Sequence, residues 1–134
     1  MINLSVLVID DNRLIANGIV QMLSFLGYQA SAVFGTMQAY QALSAKVPNV
    51  ILTDIHMQGI DGVGFCRSLR QNEQYAGLII IAMSSDNQPA LVESVKQAGA
   101  DGFLPKPIEI DELEKFMKRV EQVLNKRHSA AAPA

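Results

Sequence analysis

Short apolar runs alternate with segments of helical period along nearly the whole chain, and most of these runs end on a polar residue. Leu4 to Ile9 leads into Asp10 and Asp11, Val50 to Thr53 into Asp54, Leu78 to Met83 into Ser84, and Gly102 to Leu104 into Pro105 and Lys106. Runs this short, rich in Val and Ile, predict strands, and the continuous apolar character of Val50 to Thr53 predicts burial on both faces. A weaker run, Tyr28 to Val33, alternates polar with apolar as an edge strand does. Between the runs, Ile15, Ile19, Met22, Leu23 and Leu26 recur at helical spacing and Gly27 stops them. Thr36 is placed to cap a second helix through Ala45. Val63, Cys66 and Leu69 mark a third, ending near Arg70, with a start loosened by Gly62 and Gly64. Pro89 opens a fourth, with Leu91, Val92, Val95 and Ala98 on one face and Gly99 as its stop. Ile110, Leu113, Met117, Val120 and Leu124 form the stripe of a fifth.

Five βα units with short connections predict an α/β domain: a single doubly wound, flavodoxin-like (βα)5 unit with a five-stranded parallel sheet of order 2-1-3-4-5. In such a sheet the carboxyl ends of the strands line one edge, and ligands bind in the crevice there. Asp10, Asp11 and Asp54 fall on the two strands that flank the switch point, with Ser84 and Lys106 on the next two. Three carboxylates repel one another unless a divalent cation neutralises them, and a lysine with a hydroxyl suits a tetrahedral oxyanion. The set points to a carboxylate–Mg²⁺–phosphoryl centre. Singly, each residue has a plainer use: Asp11 or Asn12 as a helix cap, Asp54 in a turn, Ser84 as a cap, Lys106 as a solvated charge. Convergence on one edge is what favours a site.

The 134 residues suffice for one domain with a sizeable core. We expect it to span 1–125, with 126–134, which has no apolar period, as a flexible tail or linker. The formal net charge of −2 gives no footprint for direct nucleic-acid binding. No apolar run approaches the roughly 20 residues of a membrane span. The first strand begins too near Met1 for a signal peptide, and the single cysteine, Cys66, fits a reducing compartment, so a cytoplasmic protein is expected. Cys66 itself reads as a packed small hydrophobe. His56 and His128 lack metal-ligand spacing. The charges from Glu112 to Glu121 read as the solvated face of the last helix.

The pieces VLVIDDN, ILTDIHM followed by GIDG, IIIAMSS and GADGFLPKP stand in an order and spacing that resembles the receiver domain of bacterial two-component response regulators, from about Leu4 to Leu124. The resemblance implies a signalling switch that catalyses only its own phosphorylation and dephosphorylation. Asp54 would accept a phosphoryl group from a phosphohistidine on a sensor histidine kinase or histidine phosphotransfer protein. Mg²⁺ (or Mn²⁺) would be held by Asp11 and Asp54 directly, by Asp10 through water, and by the backbone carbonyl of His56. Lys106 would neutralise the transferring group, Ser84 would hydrogen-bond a phosphoryl oxygen, and a cis bond at Pro107 would fix the approach of the lysine. For output, Ser84 would move inward and Phe103 rotate behind it, remodelling the surface of the fourth helix, fifth strand and fifth helix for a downstream effector protein or domain. A phosphorylation-dependent dimer is left open.

The resemblance is not uniform. Gln58 stands where the family often has proline, Pro105 precedes Lys106, Ser85 replaces a common alanine, and Ser84 a common threonine. His56 and Asp86 occupy the positions that tune phosphate lifetime in the family, and are expected to face each other and pair when His56 is charged. Among competing functions, a phosphorylation-independent receiver-like interaction module would be favoured by loss of an acid or the lysine, and none is lost. A haloacid-dehalogenase-like phosphatase would carry its nucleophile in D-x-D after the first strand, and a cap. A flavodoxin-like electron carrier would carry a phosphate-cradling loop there, where Asp10 and Asp11 would repel the flavin phosphate.

Overall fold

The computed structural model describes residues 4–57, 59 and 61–131, with side chains through Arg127; Gln58 lies outside the described residues, as do 132–134 of the expected tail. Strands β1 (Ser5–Ile9), β2 (Gln29–Val33), β3 (Val50–Asp54), β4 (Ile79–Ser84) and β5 (Gly102–Pro105) alternate with helices α1 (Arg13–Phe25), α2 (Thr36–Ala45), α3 (Gly62–Gln71), α4 (Pro89–Gln97) and α5 (Ile110–Ala131). All strands are parallel, in the order β2-β1-β3-β4-β5. The fold is the doubly wound one expected.

Alternation along each central strand sends its side chains to two cores. Leu7, Ile9, Ile51, Ile80 and Ala82 face α2, α3 and α4 through Ala39, Leu43, Phe65, Cys66, Leu69 and Val95. Val6, Val8, Val50, Leu52, Ile81 and Met83 face α1 and α5 through Ala16, Ile19, Leu23, Leu113 and Met117. Every residue of β3 and β4 is buried, which is why those runs are apolar without a break. Each such Leu or Ile contributes about 1.5–3 kcal/mol by leaving water.

Local chemistry sets the helix ends, with two departures from expectation. Asn12 caps α1 by accepting from the Ile15 amide at 3.1 Å, and Asp61 caps α3 by accepting from Gly64 at 3.1 Å. Thr36 is not the cap of α2. Gly35 holds that position without a side-chain bond, and Gln38 Oε1 accepts from the Phe34 amide at 2.9 Å. The second departure is α5, which continues through Ala131 into the segment expected as tail. Lysine, arginine and alanine are strong helix formers, and Arg127 donates to the Gly77 carbonyl at 3.1 Å. A 3-10 turn, Glu73–Tyr75, joins α3 to β4.

The register brings the strand ends level. Ile9 lies opposite Thr53, Asp54 opposite Met83, and Ser84 opposite Pro105. One step beyond each strand, the chain turns out of the sheet along a single edge.

Candidate functional site

Asp10 follows the last residue of β1, and its backbone N–H still bonds the Val33 carbonyl, so the side chain is held inside the sheet edge. It has no exposed surface, and Asp54 only 5%. Asp11, one residue on, is exposed. The three carboxylates converge: each offers an oxygen within 4.8 Å of the others. From the far side of the sheet, the Lys106 ammonium reaches Asp10 Oδ2 at 2.5 Å and Asp54 Oδ2 at 3.1 Å. One cation therefore bridges two buried acids.

The remaining carboxylate oxygens are held by backbone. The Asn12 amide donates to Asp10 Oδ1 at 2.9 Å, and the His56 amide to Asp54 Oδ1 at 3.0 Å. Each acid is thus held by one backbone N–H and by the ammonium the two share. Burial of Lys106 works against its charge, but the hydrogen bonds and charges of Asp10 and Asp54 outweigh it, and its pKa is raised above the ordinary lysine value. It is a permanent cation at neutral pH.

Ser84 ends β4 fully buried. Its hydroxyl oxygen accepts from the Asp86 amide at 2.9 Å, and its carbonyl accepts from the Lys106 amide at 2.8 Å, so it also anchors the backbone that carries the lysine. The Lys106–Pro107 bond is cis. Phe103, on β5, is partly buried against the core shared by α2, α3 and α4. His56 and Asp86 are both exposed, and no ion pair joins them among the described residues; the Asp86 carboxylate accepts instead from the Gln88 amide at 3.1 Å. Sequence pattern brought the acids, the serine and the lysine to one edge. It did not disclose the direct Asp10–Lys106 contact, between residues 96 apart in sequence, nor the amide donors from Asn12 and His56.

Chemically, this is an oxygen-rich, acid-lined pocket with one fixed cation and one buried hydroxyl. It suits a hard metal ion and a phosphoryl group and carries no soft ligand among its acids.

Known proteins place the same arrangement in context. The DNA-binding transcriptional regulator NtrC of Escherichia coli is 32% identical over 112 residues, 84% of this chain; the chain spans only 24% of the length of that relative. The chemotaxis protein CheY4 of Vibrio cholerae superposes with a TM-score of 0.83 at 26% identity, over 89% of this chain and 99% of that one. The receiver domain of the sensor histidine kinase PA1611 of Pseudomonas aeruginosa, solved with a magnesium ion coordinated in its active-site cleft, superposes with a TM-score of 0.77 at 28% identity, over 88% and 97%. Residues 6–118 match the family model of the response regulator receiver domain. A matched span that runs from β1 into α5, and so takes in every strand and all of the acidic edge, makes this chain a member of the response regulator receiver family.

Proposed function

We propose that the chain is a phosphorylatable receiver of a two-component system or phosphorelay, in which Asp54 takes a phosphoryl group from a phosphohistidine on a sensor histidine kinase or histidine phosphotransfer protein. The observation that carries this reading is the buried pair Asp10 and Asp54, bridged by Lys106 beside a third acid. Burying charges costs several times what a surface pair gains, so a core would not keep them for stability alone.

The donor set fits Mg²⁺ (or Mn²⁺), since its side-chain donors are all carboxylate oxygens. Asp11 and Asp54 would hold the ion directly, Asp10 through water, and His56 through its carbonyl. When bound, the ion supplies positive charge against the phosphoryl oxygens. The rest is the work of the chain. An Asp54 oxygen attacks phosphorus as the bond to the donor imidazole nitrogen breaks; the imidazole leaves with the bonding pair and an acyl phosphate forms. The His56 amide keeps the carboxylate in orientation. Lys106 exchanges its hold on Asp54 for a phosphoryl oxygen, and the Ser84 hydroxyl donates its proton to another. Hydrolysis returns the aspartate, so the protein is a switch and turns over nothing but its own phosphate.

Phosphorylation would favour the packing in which Ser84 moves inward and Phe103 rotates, presenting a changed α4–β5–α5 surface to an effector. The relatives extend well beyond a receiver, which supports an effector on the same or another chain. A cytoplasmic location accords with a kinase partner; among the described residues no helix is long and apolar enough to cross a membrane.

Intact mass after incubation with acetyl phosphate and Mg²⁺ tests the reading. One phosphoryl group should be added, prevented by EDTA and absent in Asp54→Asn. If the wild type gains none and also fails to bind beryllofluoride, the phosphoacceptor is abandoned in favour of a phosphorylation-independent interaction module.

A further inference from the structure

Four polar side chains are buried among the described residues: Asp10, Asp54, Ser84 and Thr53. The first three make the acidic edge and its hydroxyl. Thr53 has no exposed surface and no part in the chemistry described so far. It stands inside the sheet, level with Ile9 on β1 and Ala82 on β4, both of which face the core shared by α2, α3 and α4. Strand formation does not call for a hydroxyl there. Valine has the same branched stem, suits a buried strand as well, and takes no polar atom out of water.

Thr53 Oγ1 donates to the backbone carbonyl of Asp54 at 3.2 Å. The pairing of β1 with β3 ends at Ile9 opposite Thr53, so on that side the ladder stops one residue short of the acceptor. On the other side the Ile55 N–H still donates to the Met83 carbonyl at 3.1 Å. The Asp54–Ile55 peptide is thus held at both ends, its C=O by the Thr53 hydroxyl and its N–H by β4. The chain leaves the sheet from this peptide, and the next amide, that of His56, turns back to Asp54 Oδ1 at 3.0 Å. The orientation of the carboxylate therefore follows the orientation of that peptide.

We infer that Thr53 is a positioning residue for the acceptor: its hydroxyl locks the Asp54–Ile55 peptide and so aims the Asp54 carboxylate through the His56 amide. The inference rests on the phosphoacceptor reading above and adds a residue to it. In the resting site the Lys106 ammonium holds the other oxygen of Asp54 at 3.1 Å. During transfer that ammonium goes over to the phosphoryl group, which leaves the turn to keep the carboxylate in line. The His56 carbonyl, the backbone ligand expected for Mg²⁺, lies on the same turn and shares the restraint. Thr53 acts through the backbone and not on the reacting atoms.

Two substitutions in the full chain separate the hydroxyl from the packing: Thr53→Val keeps the shape without the donor, and Thr53→Ser keeps the donor without the methyl. Phosphoryl uptake from acetyl phosphate at saturating Mg²⁺ is followed by intact mass. Mg²⁺ affinity and exchange of the His56 amide are read from amide spectra of the isotope-labelled chain, under conditions where each variant keeps the dispersed spectrum of the fold. Thr53→Val should take up phosphoryl about fivefold more slowly, bind Mg²⁺ more weakly and exchange its His56 amide about fivefold faster, as for one ordinary hydrogen bond. Thr53→Ser should match wild type in all three. Three results would overturn the positioning role: an unchanged rate of uptake in Thr53→Val, an unchanged His56 amide there, or Thr53→Ser as impaired as Thr53→Val, which would assign the effect to lost packing. If Thr53→Val does not fold, Thr53→Ala against Thr53→Ser makes the same comparison, and the same results decide. A wild type that neither binds Mg²⁺ nor gains a phosphoryl group would instead sink the phosphoacceptor, and the inference with it, a result distinct from a variant that matches an active wild type.

Discussion

One ammonium serves two carboxylates at this site, and Asp10 has no exposed surface through which water could replace it. Removing one partner from a buried pair costs about 3–5 kcal/mol. Lys106→Met should therefore lower the urea unfolding free energy by roughly 3 kcal/mol. Mg²⁺ should restore part of that loss, because the folded acids bind the ion more tightly once the ammonium that competes for them is gone. An equal loss at every Mg²⁺ concentration would show that the ammonium and the ion do not compete for those acids. The pH dependence has a definite sign. The folded pKa of Lys106 lies above the ordinary 10.5, so its contribution is complete below 10.5 and fades only as pH rises through the higher folded value. Titration of the lysine thus leaves the gap between variant and wild type unchanged across neutral pH. Cys66 offers a separate check on the interior. Burial, against a smaller opposing effect of the Arg70 charge, pushes its thiol from 9.0 to about 11. A thiol reagent near neutral pH should leave the native protein unmodified and label it fully in denaturant; rapid native labelling would mean that α3 opens readily. The identities of these residues could be read from the sequence, because each polar residue breaks an apolar run. Their partners could not, since the Lys106–Asp10 contact depends on a sheet register that no local pattern encodes.

At the scale of elements, the glycines that open α3 show how a correct helix can carry a mistaken reason. Propensity alone makes Gly62 and Gly64 a loose start. In the fold, Asp61 caps that start, and Gly62 lets the first turn lie directly on the chain leaving β3: a Cβ there would stand 2.5 Å from the Ile55 carbonyl oxygen and 2.7 Å from its carbon. Backbone cannot yield as a side chain can. Gly62→Ala should cost about 1–3 kcal/mol through overpacking. It should also slow phosphorylation by acetyl phosphate, because the displaced segment carries the His56 amide that orients Asp54. At Gly64 the obstacle is the Asp61 carboxylate, which can swing aside, so Gly64→Ala should cost less. Equal stability of the two variants would refute the close-approach argument. Thr36 teaches the same lesson at α2. A hydroxyl in a capping position is a fair local signal, but the turn out of β2 reached Gly35 first, and Gln38 supplied the acceptor from within the helix.

For the molecule as a whole, what holds the fold and what the sequence made legible largely coincide, because both come from strands buried on two faces. Strand order and the site edge followed from that burial together with the right-handed crossover rule. The outer limit of α5 did not, since solvated helix leaves no apolar signature. The described buried residues of α5 are Leu113, Met117 and Val120, all well before its end, whereas Arg127 reaches back through one exposed hydrogen bond to the Gly77 carbonyl. Truncation after Asn125 should therefore change unfolding free energy by no more than about 1 kcal/mol, the worth of such a bond. The truncated chain should also take up the same single phosphoryl group as the full one, because Asp10, Asp54, Ser84 and Lys106 are fixed by strand ends against which α5 packs through residues up to Leu124, all of them kept. A larger loss of stability, or an altered rate of phosphorylation, would place the last turns of α5 inside the cooperative unit. That outcome would make the far end of the helix part of the switch rather than an extension of it.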